Sequence, residues 1–132
     1  MTFSIARFMS RPVRTIGCAS SLAEAREQMS QAGIHHLVVV DRGRYVGILS
    51  DRDIYRREAE KPIEPEVLSV GEAMAADVYA VAPEAPLGEV AFEMARLGVG
   101  TALVVSGEEP VGIFTTYDAL LVLSRWARAG LA

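Results

Sequence analysis

The sequence predicts a mixed α/β (α+β) fold built from two βαββα units, and three observations carry that expectation. Residues Met9 to Ile54, shifted by 65 positions, fall without a gap on Met74 to Ala119 with 12 identities in 46 pairs. Met9/Met74, Val13/Val78, Leu22/Leu87, Met29/Met94, Gly33/Gly98, Gly47/Gly112, Ile48/Ile113 and Asp53/Asp118 are identical, and Ser50/Thr115 is conservative. A constant offset of this kind marks an internal duplication. Within each copy, apolar residues switch between helical spacing and short continuous runs, the signs of helices and covered strands. Finally, 132 residues are one domain's worth, while a repeat of about 45 to 50 residues is too small to bury an adequate core alone. The copies are therefore expected to form one two-lobed module.

Taken in order, Val13 to Gly17 reads as a short strand, and Ser21 to Ala32 as a helix with Leu22, Ala25 and Met29 on one stripe. Gly33 ends it. Leu37 to Val40 is a strand covered on both faces, Arg42 and Gly43 make a short reversal, and Tyr45 to Leu49 completes a hairpin. A helix then opens at Ser50 and runs to about Ala59. Pro62 and Pro65 cannot continue it and mark a linker over Glu60 to Glu66. In the second copy Ser69 to Met74 is a short leading helix, Val78 to Ala82 the first strand and Pro86 to Leu97 the first helix. Thr101 to Val105 and Val111 to Phe114 form the hairpin, followed by a longer helix from Thr116 towards Ala129. Residues 1–59 thus make the first repeat with its leading arm, 60–68 the linker, and 69–132 the second repeat with its extended last helix. On that helix Leu120, Leu123 and Trp126, flanked by Leu121, form an apolar face. The plain reading of the face is packing within the chain; the alternative is a dimer contact.

Composition excludes several classes of function. A hydrophobic fraction of 51% with 23% charged residues describes an ordinary globular chain rather than a disordered one. A net charge of −4 argues against a broad polyanion-binding face, so nucleic acid is disfavoured as a partner. The single cysteine, Cys18, excludes an internal disulfide and a cysteine metal cluster, and reads as inert packing. Ser4, Arg7, Ser10 and Arg11 interrupt the first 13 residues, leaving no signal-peptide core, and no apolar run approaches the ~18 residues of a spanning helix. The expected location is the cytoplasm, with no membrane partner.

Chemistry is expected where the last strand of each copy meets its last helix. The segments are Gly47-Ile48-Leu49-Ser50-Asp51-Arg52-Asp53 and Gly112-Ile113-Phe114-Thr115-Thr116-Tyr117-Asp118. A hydroxyl at a helix start, beside free backbone N–H groups and the positive end of the macrodipole, suits a phosphate. A carboxylate three residues later can accept from both hydroxyls of a ribose diol. The same spacing is also that of a capping box, which needs no ligand. Ser21 with Glu24 and Ser69 with Glu72 repeat it at other helix starts. Against the plain cap stands the use of Asp, shorter than the Glu preferred in such boxes, at matched positions in both copies. Both readings stand at this point.

Two copies of a Met-bearing leading segment, a strand such as Val13-Arg14-Thr15-Ile16, a helix, a hairpin and a Gly-apolar-apolar-Ser/Thr-x-x-Asp ending resemble a tandem cystathionine-β-synthase (CBS) domain pair, or Bateman module. The likeness covers nearly the whole chain, and the expectation is of a pair that stands alone, fused to no catalytic, transporter or DNA-binding domain. The resemblance implies two βαββα repeats packed through their sheets with pseudo-twofold symmetry, with two clefts between them that commonly hold adenosine-containing ligands. It assigns Asp53 and Asp118 to ribose, and Ser50 and Thr115 to the region of the phosphates. Val13, Arg14 and Thr15, with Val78 and Ala80 in the second copy, fall on the strand that cups the base. Ile34-His35-His36-Leu37 resembles the segment from which a cation reaches the phosphates. The second copy departs from the pattern, offering Val99-Gly100-Thr101-Ala102 with no cation, and Ala80 where Thr15 stands. The clefts are expected to be unequal, the one holding Asp53 being the better nucleotide site.

His35 and His36 enter a strand and point to opposite faces; two histidines without a nearby carboxylate make a poor metal site, so no metal is expected. A bound phosphate would favour a protonated imidazole, so binding is expected to weaken as pH rises. Arg52 is a further phosphate candidate, as are Arg11, Arg14 and Arg56, although charges at strand ends and helix starts are usually solvated surface. No Walker or Rossmann loop and no nucleophile with a base and orienter is present, so catalysis is not expected. The leading expectation is a regulatory sensor needing no cofactor, with AMP, ADP, ATP or S-adenosylmethionine as ligand, a homodimer as its assembly, and an unidentified regulated protein as its target. The rival is a ligand-free scaffold or dimerisation module in which both aspartates only cap helices.

Overall fold

Each copy of the repeat builds one three-stranded sheet and buries one face of its helices against it. The computed structural model describes residues 2–60 and 67–130, so the expected linker lies mostly outside the described residues. The first copy runs β1 (Thr15–Gly17), α1 (Leu22–Ala32), β2 (His36–Asp41), β3 (Arg44–Ser50) and α2 (Asp51–Glu60). The second begins with a short α3 (Val70–Ala73) and continues with β4 (Ala80–Val81), α4 (Leu87–Leu97), β5 (Thr101–Ser106), β6 (Glu109–Thr115) and α5 (Thr116–Arg128). The counterpart of α3 ahead of the first copy is a single 3₁₀ turn, Ile5–Arg7.

The sheets have the orders β1-β2-β3 and β4-β5-β6, with the outer helix-connected pair parallel and the hairpin antiparallel. Both hairpins carry a register shift at the same repeat position, between Val39 and Val40 and between Val104 and Val105. In the first hairpin the reversal puts both Arg42 (φ 52°) and Gly43 (φ 77°) in the left-handed region, the geometry a tight two-residue turn demands. The first strands are shorter than their sequence suggests. Only Thr15 to Gly17 pair with β2 in one copy, and in the other the ladder stops at Val81, two residues before Pro83, which has no N–H to extend it.

Packing divides the chain differently from the duplication. One compact unit is Arg14–Val78; the other joins Met1–Val13 to Tyr79–Ala132. The leading arm therefore packs on the second repeat, and the segment leading into the second repeat packs on the first. In the contiguous unit, Leu68 and Val70 join Ile16, Leu22, Leu37, Leu49 and Ile54 in the core. In the discontinuous unit, Ile5 is fully buried with Val104 and Phe114, and Phe3 and Phe8 meet edge-to-face at 6.0 Å. The arms also cap the sheets. Ser10 exchanges backbone hydrogen bonds of 2.8 and 3.0 Å with Ile113, and Ala75 does the same with Ile48 at 2.9 and 3.0 Å. These contacts explain a glycine found in each copy: a Cβ at Gly47 would lie 2.5 Å from Met74 Sδ, and one at Gly112 would lie 2.7 Å from Met9 Cγ. A short repeat leaves its core open on one side, and the exchanged arm supplies the missing apolar residues.

The last helix corrects the plain reading of its apolar stripe. Val122 is buried and Ala119 packs against the core, whereas Leu120, Leu121, Leu123 and Trp126 are 64%, 40%, 55% and 42% exposed, and Tyr117 beside them 68%. The three-residue series stands largely exposed rather than in the core of its own unit.

Candidate functional site

Both strand-to-helix junctions close as capping boxes. The Ser50 N–H donates to Asp53 Oδ2 at 2.9 Å and the Asp53 N–H to Ser50 Oγ at 3.1 Å. In the second copy the Thr115 N–H donates to Asp118 Oδ2 at 2.9 Å and the Asp118 N–H to Thr115 Oγ1 at 3.4 Å. The Ser21 and Ser69 hydroxyls likewise accept from the N–H groups of Glu24 and Glu72. Two orphan amide groups are thus satisfied at each junction, and a negative charge sits at the positive end of each helix.

The two carboxylates differ at their second oxygen. Asp53 Oδ1 faces, among the described residues, the exposed Arg56 guanidinium at 3.9 Å. Asp118 Oδ1 instead accepts a 3.0 Å hydrogen bond from the Ser10 hydroxyl. The residue at Ser10's position in the other arm is Ala75, which has no hydroxyl to offer. Ser10 escaped the sequence reading because it lies 108 residues from Asp118; the one trace is the Ser/Ala difference between the aligned arms.

The histidine segment is better furnished than expected. His36 opens β2 opposite Ser50 in the register. That register brings His35 beside Asp51, whose N–H donates to the His35 carbonyl at 3.1 Å. His35 Nδ1 lies 2.8 Å from Asp51 Oδ2 and, the carboxylate being an acceptor, donates to it. This corrects the expectation that no carboxylate accompanies the histidines. Nε2 is left as the ring nitrogen available to a ligand. Among the described residues no group of three or more His, Cys, Asp and Glu side chains is placed to hold a metal.

The remaining candidates spread along the first strands. Thr15 pairs with Val38 and is exposed; Arg14 just precedes it and lines an open cleft of ≈ 280 Å³ with Gln28, Gln31 and Ile34. A second cleft of ≈ 280 Å³ lies between α1 and α2 and is lined in part by His35, Asp51, Ile54 and Tyr55. Arg52 and Arg56 are exposed on α2, and Val13 and Val78 are half-buried. Ala80 pairs with Leu103 and is exposed. In the second copy Tyr79 and Glu93 replace Arg14 and Gln28. Burial, and then the Glu93 and Glu89 carboxylates, raise the Tyr79 hydroxyl above its ordinary pKa. The hydrogen bond from Arg96 holds the Glu93 carboxyl below its own ordinary value. The first copy therefore carries the imidazoles and Arg14, of which His35 and Arg14 line separate clefts that do not include Asp53, and the second has glycine, threonine and Tyr79 at those positions.

A model of the CBS domain matches residues 5–60 and again 70–125. The chain belongs to the CBS domain family. Of the curated relatives of this CBS pair, the A-adding tRNA nucleotidyltransferase of Geobacter sulfurreducens is 32% identical over 117 residues, 87% of the chain but 13% of that protein. The pair thus spans a small part of that relative's length. Among solved structures, the CBS domain pair of protein MJ0100 in complex with 5′-methylthioadenosine and S-adenosyl-L-methionine has a TM-score of 0.85 at 25% identity, over 95% of this chain and 98% of that one. A hexameric CBS-CP12 protein from bloom-forming cyanobacteria has a TM-score of 0.84 at 28% identity, over 91% and 67%. No helix among the described residues of the CBS pair is long and apolar enough to cross a membrane.

Proposed function

We propose that this CBS pair is a non-catalytic regulatory module of the cytoplasm that binds an adenine nucleotide or another adenosyl compound at the first repeat. Asp53 takes the ribose hydroxyls, Ser50 and one of the two imidazoles, His35 or His36, meet the phosphates with Arg52, and the strand at Val13 to Thr15 meets the base. Thr115 and Asp118, with Val78 and Ala80, are the corresponding groups of the second repeat. The observation that carries the reading is the state of the Asp53 carboxylate: its Oδ2 is held by the cap and its Oδ1 is left to an exposed arginine. A carboxylate so oriented can accept from a diol without giving up the cap. The adenosyl ligands of the MJ0100 pair support the ligand class.

Signalling requires that ligand favour one arrangement of the protein over another. The exposed apolar side of α5 supports a homodimer as the assembly in which such a change reaches a regulated protein. The same face favours the second reading, a scaffold that dimerises and binds no ligand.

Melting of nucleotide-stripped protein with AMP, ADP, ATP and S-adenosylmethionine separates the two. Ligand at a hundred times its dissociation constant adds about 2.7 kcal/mol to stability, a shift of several degrees that Asp53→Asn should abolish. Unshifted melting at millimolar concentrations of all four would leave the scaffold reading.

A further inference from the structure

The two repeats present their aspartates differently, and the difference lies outside the repeats, in the arms. Ser10 and Ala75 occupy equivalent places: each follows the arm methionine, and each forms a two-way backbone bridge to the last strand, at Ile113 and Ile48. Only Ser10 carries a hydroxyl, and that hydroxyl donates to Asp118 Oδ1 at 3.0 Å. Asp118 Oδ2 is already engaged by the Thr115 N–H at 2.9 Å and the Thr115 hydroxyl at 3.2 Å. The carboxylate is therefore occupied at both oxygens from within its own unit.

We propose that Ser10 is a specificity-determining residue that masks the second ribose site, so that the residue following each arm methionine decides which repeat takes ligand. This rests on the reading of Asp53 and Asp118 as ribose-binding groups. A ribose diol approaching Asp118 competes with the Ser10 hydroxyl for Oδ1, whereas Asp53 Oδ1 has the Arg56 guanidinium at 3.9 Å. Exchanging one charge-assisted donor for another removes much of the gain from binding there, about tenfold in affinity. The masking also holds the arm to the helix start, so ligand at the second site would be linked to release of Ser10 from Asp118.

The substitution that tests this has a precedent within the chain. Ala75 shows that alanine satisfies the backbone bridge, whose hydrogen bonds come from main-chain atoms alone, so Ser10→Ala should keep the fold. Calorimetric titration with AMP and with S-adenosylmethionine is run on the wild type, Asp53→Asn, Ser10→Ala, Ser10→Ala/Asp118→Asn, and Ala75→Ser. The expected wild-type result is one site per chain, lost in Asp53→Asn. Ser10→Ala should gain a second site, at least about tenfold tighter than anything seen there in the wild type, and Asp118→Asn should remove it again. Ala75→Ser should weaken the Asp53 site by a similar factor. Binding by the wild type with no gain in Ser10→Ala overturns the masking and leaves the ligand reading intact. Wild-type binding that survives Asp53→Asn overturns it as well. Absence of binding in every variant overturns the ligand reading, and the masking falls with it.

Discussion

Adding a single methyl group at Gly47 should be more damaging than adding one at Gly112, although the two glycines are equivalent in the repeat. At Gly47 the new Cβ would lie 2.5 Å from Met74 Sδ and 2.8 Å from the Ala75 carbonyl oxygen. The thioether can swing aside, but the carbonyl is fixed as the acceptor of the Ile48 N–H at 3.0 Å. Relief then requires the arm to draw away from β3 and stretch that bridge. At Gly112 the neighbours are Met9 Sδ, which is nearest, Met9 Cγ at 2.7 Å and Met9 Cβ at 3.1 Å, all side chain. Overpacking of this kind costs about 1–3 kcal/mol; Gly47→Ala should fall at the upper end and Gly112→Ala at the lower. For a chain of this size each kcal/mol moves the melting midpoint by roughly 3–5 °C, so a gap of several degrees is expected between them. Urea unfolding of the single variants and of Gly47→Ala/Met74→Ala and Gly112→Ala/Met9→Ala measures the coupling. Truncating Met9 should cancel the cost of Gly112→Ala almost entirely; truncating Met74 should cancel only part of the cost of Gly47→Ala. If Gly47→Ala/Met74→Ala proves as stable as Met74→Ala alone, the carbonyl contact is not the obstacle and the reasoning is refuted.

Phe114→Ala empties a fully buried site and should lower stability by about 3–5 kcal/mol in the same urea assay. Asp118→Ala removes the carboxylate half of the α5 capping box and should cost about 1 kcal/mol, read as an earlier thermal transition in circular dichroism. Leu120→Glu/Leu123→Glu, on the exposed side of α5, should convert a dimer to monomer in sedimentation without lowering the stability of the monomer; a persistent dimer would place the interface elsewhere. The Tyr79 hydroxyl, raised above its ordinary 10.0 by burial and then by Glu93 and Glu89, holds its proton more tightly folded than unfolded. Its contribution to stability is therefore complete below pH 10 and lost as pH rises through the folded value. Ultraviolet titration should show one tyrosine ionising late, and Glu93→Gln should bring it earlier.

The order of elements could be read from the sequence because local rules govern it: Leu22, Ala25 and Met29 lie on one stripe of α1 and are buried, and Gly33 ends the helix at φ 65°. The two junctions were legible for the same reason, Ser50 with Asp53 and Thr115 with Asp118 being contacts three residues apart. What could not be read depends on distance along the chain. Nothing periodic links Met9 to Gly112 or Ser10 to Asp118, so the exchange of arms left no local mark. The hairpin register that sets His35 against Asp51 turns on a one-residue irregularity at Val39/Val40, which alternating hydrophobicity does not reveal. Leu120, Leu123 and Trp126 have the same spacing whether they are buried or exposed; tertiary packing decides it, taking Val122 and Ala119 into the core and leaving those three exposed.

The exchanged arms also impose a timetable on synthesis. Residues Arg14–Val78 form a unit that is continuous in the chain, so every partner it needs has been made once Val78 has been added. The other unit joins the first 13 residues to the last 54. Its arm, with Ile5, Phe3 and Phe8, leaves the ribosome well before β5, β6 and α5 and must wait for them before those side chains are covered. Closing that long loop carries an entropic cost that a contiguous unit avoids, and apolar surface held open during the wait is the kind that chaperones recognise. The order in which the halves mature is thus written into which arm packs on which repeat.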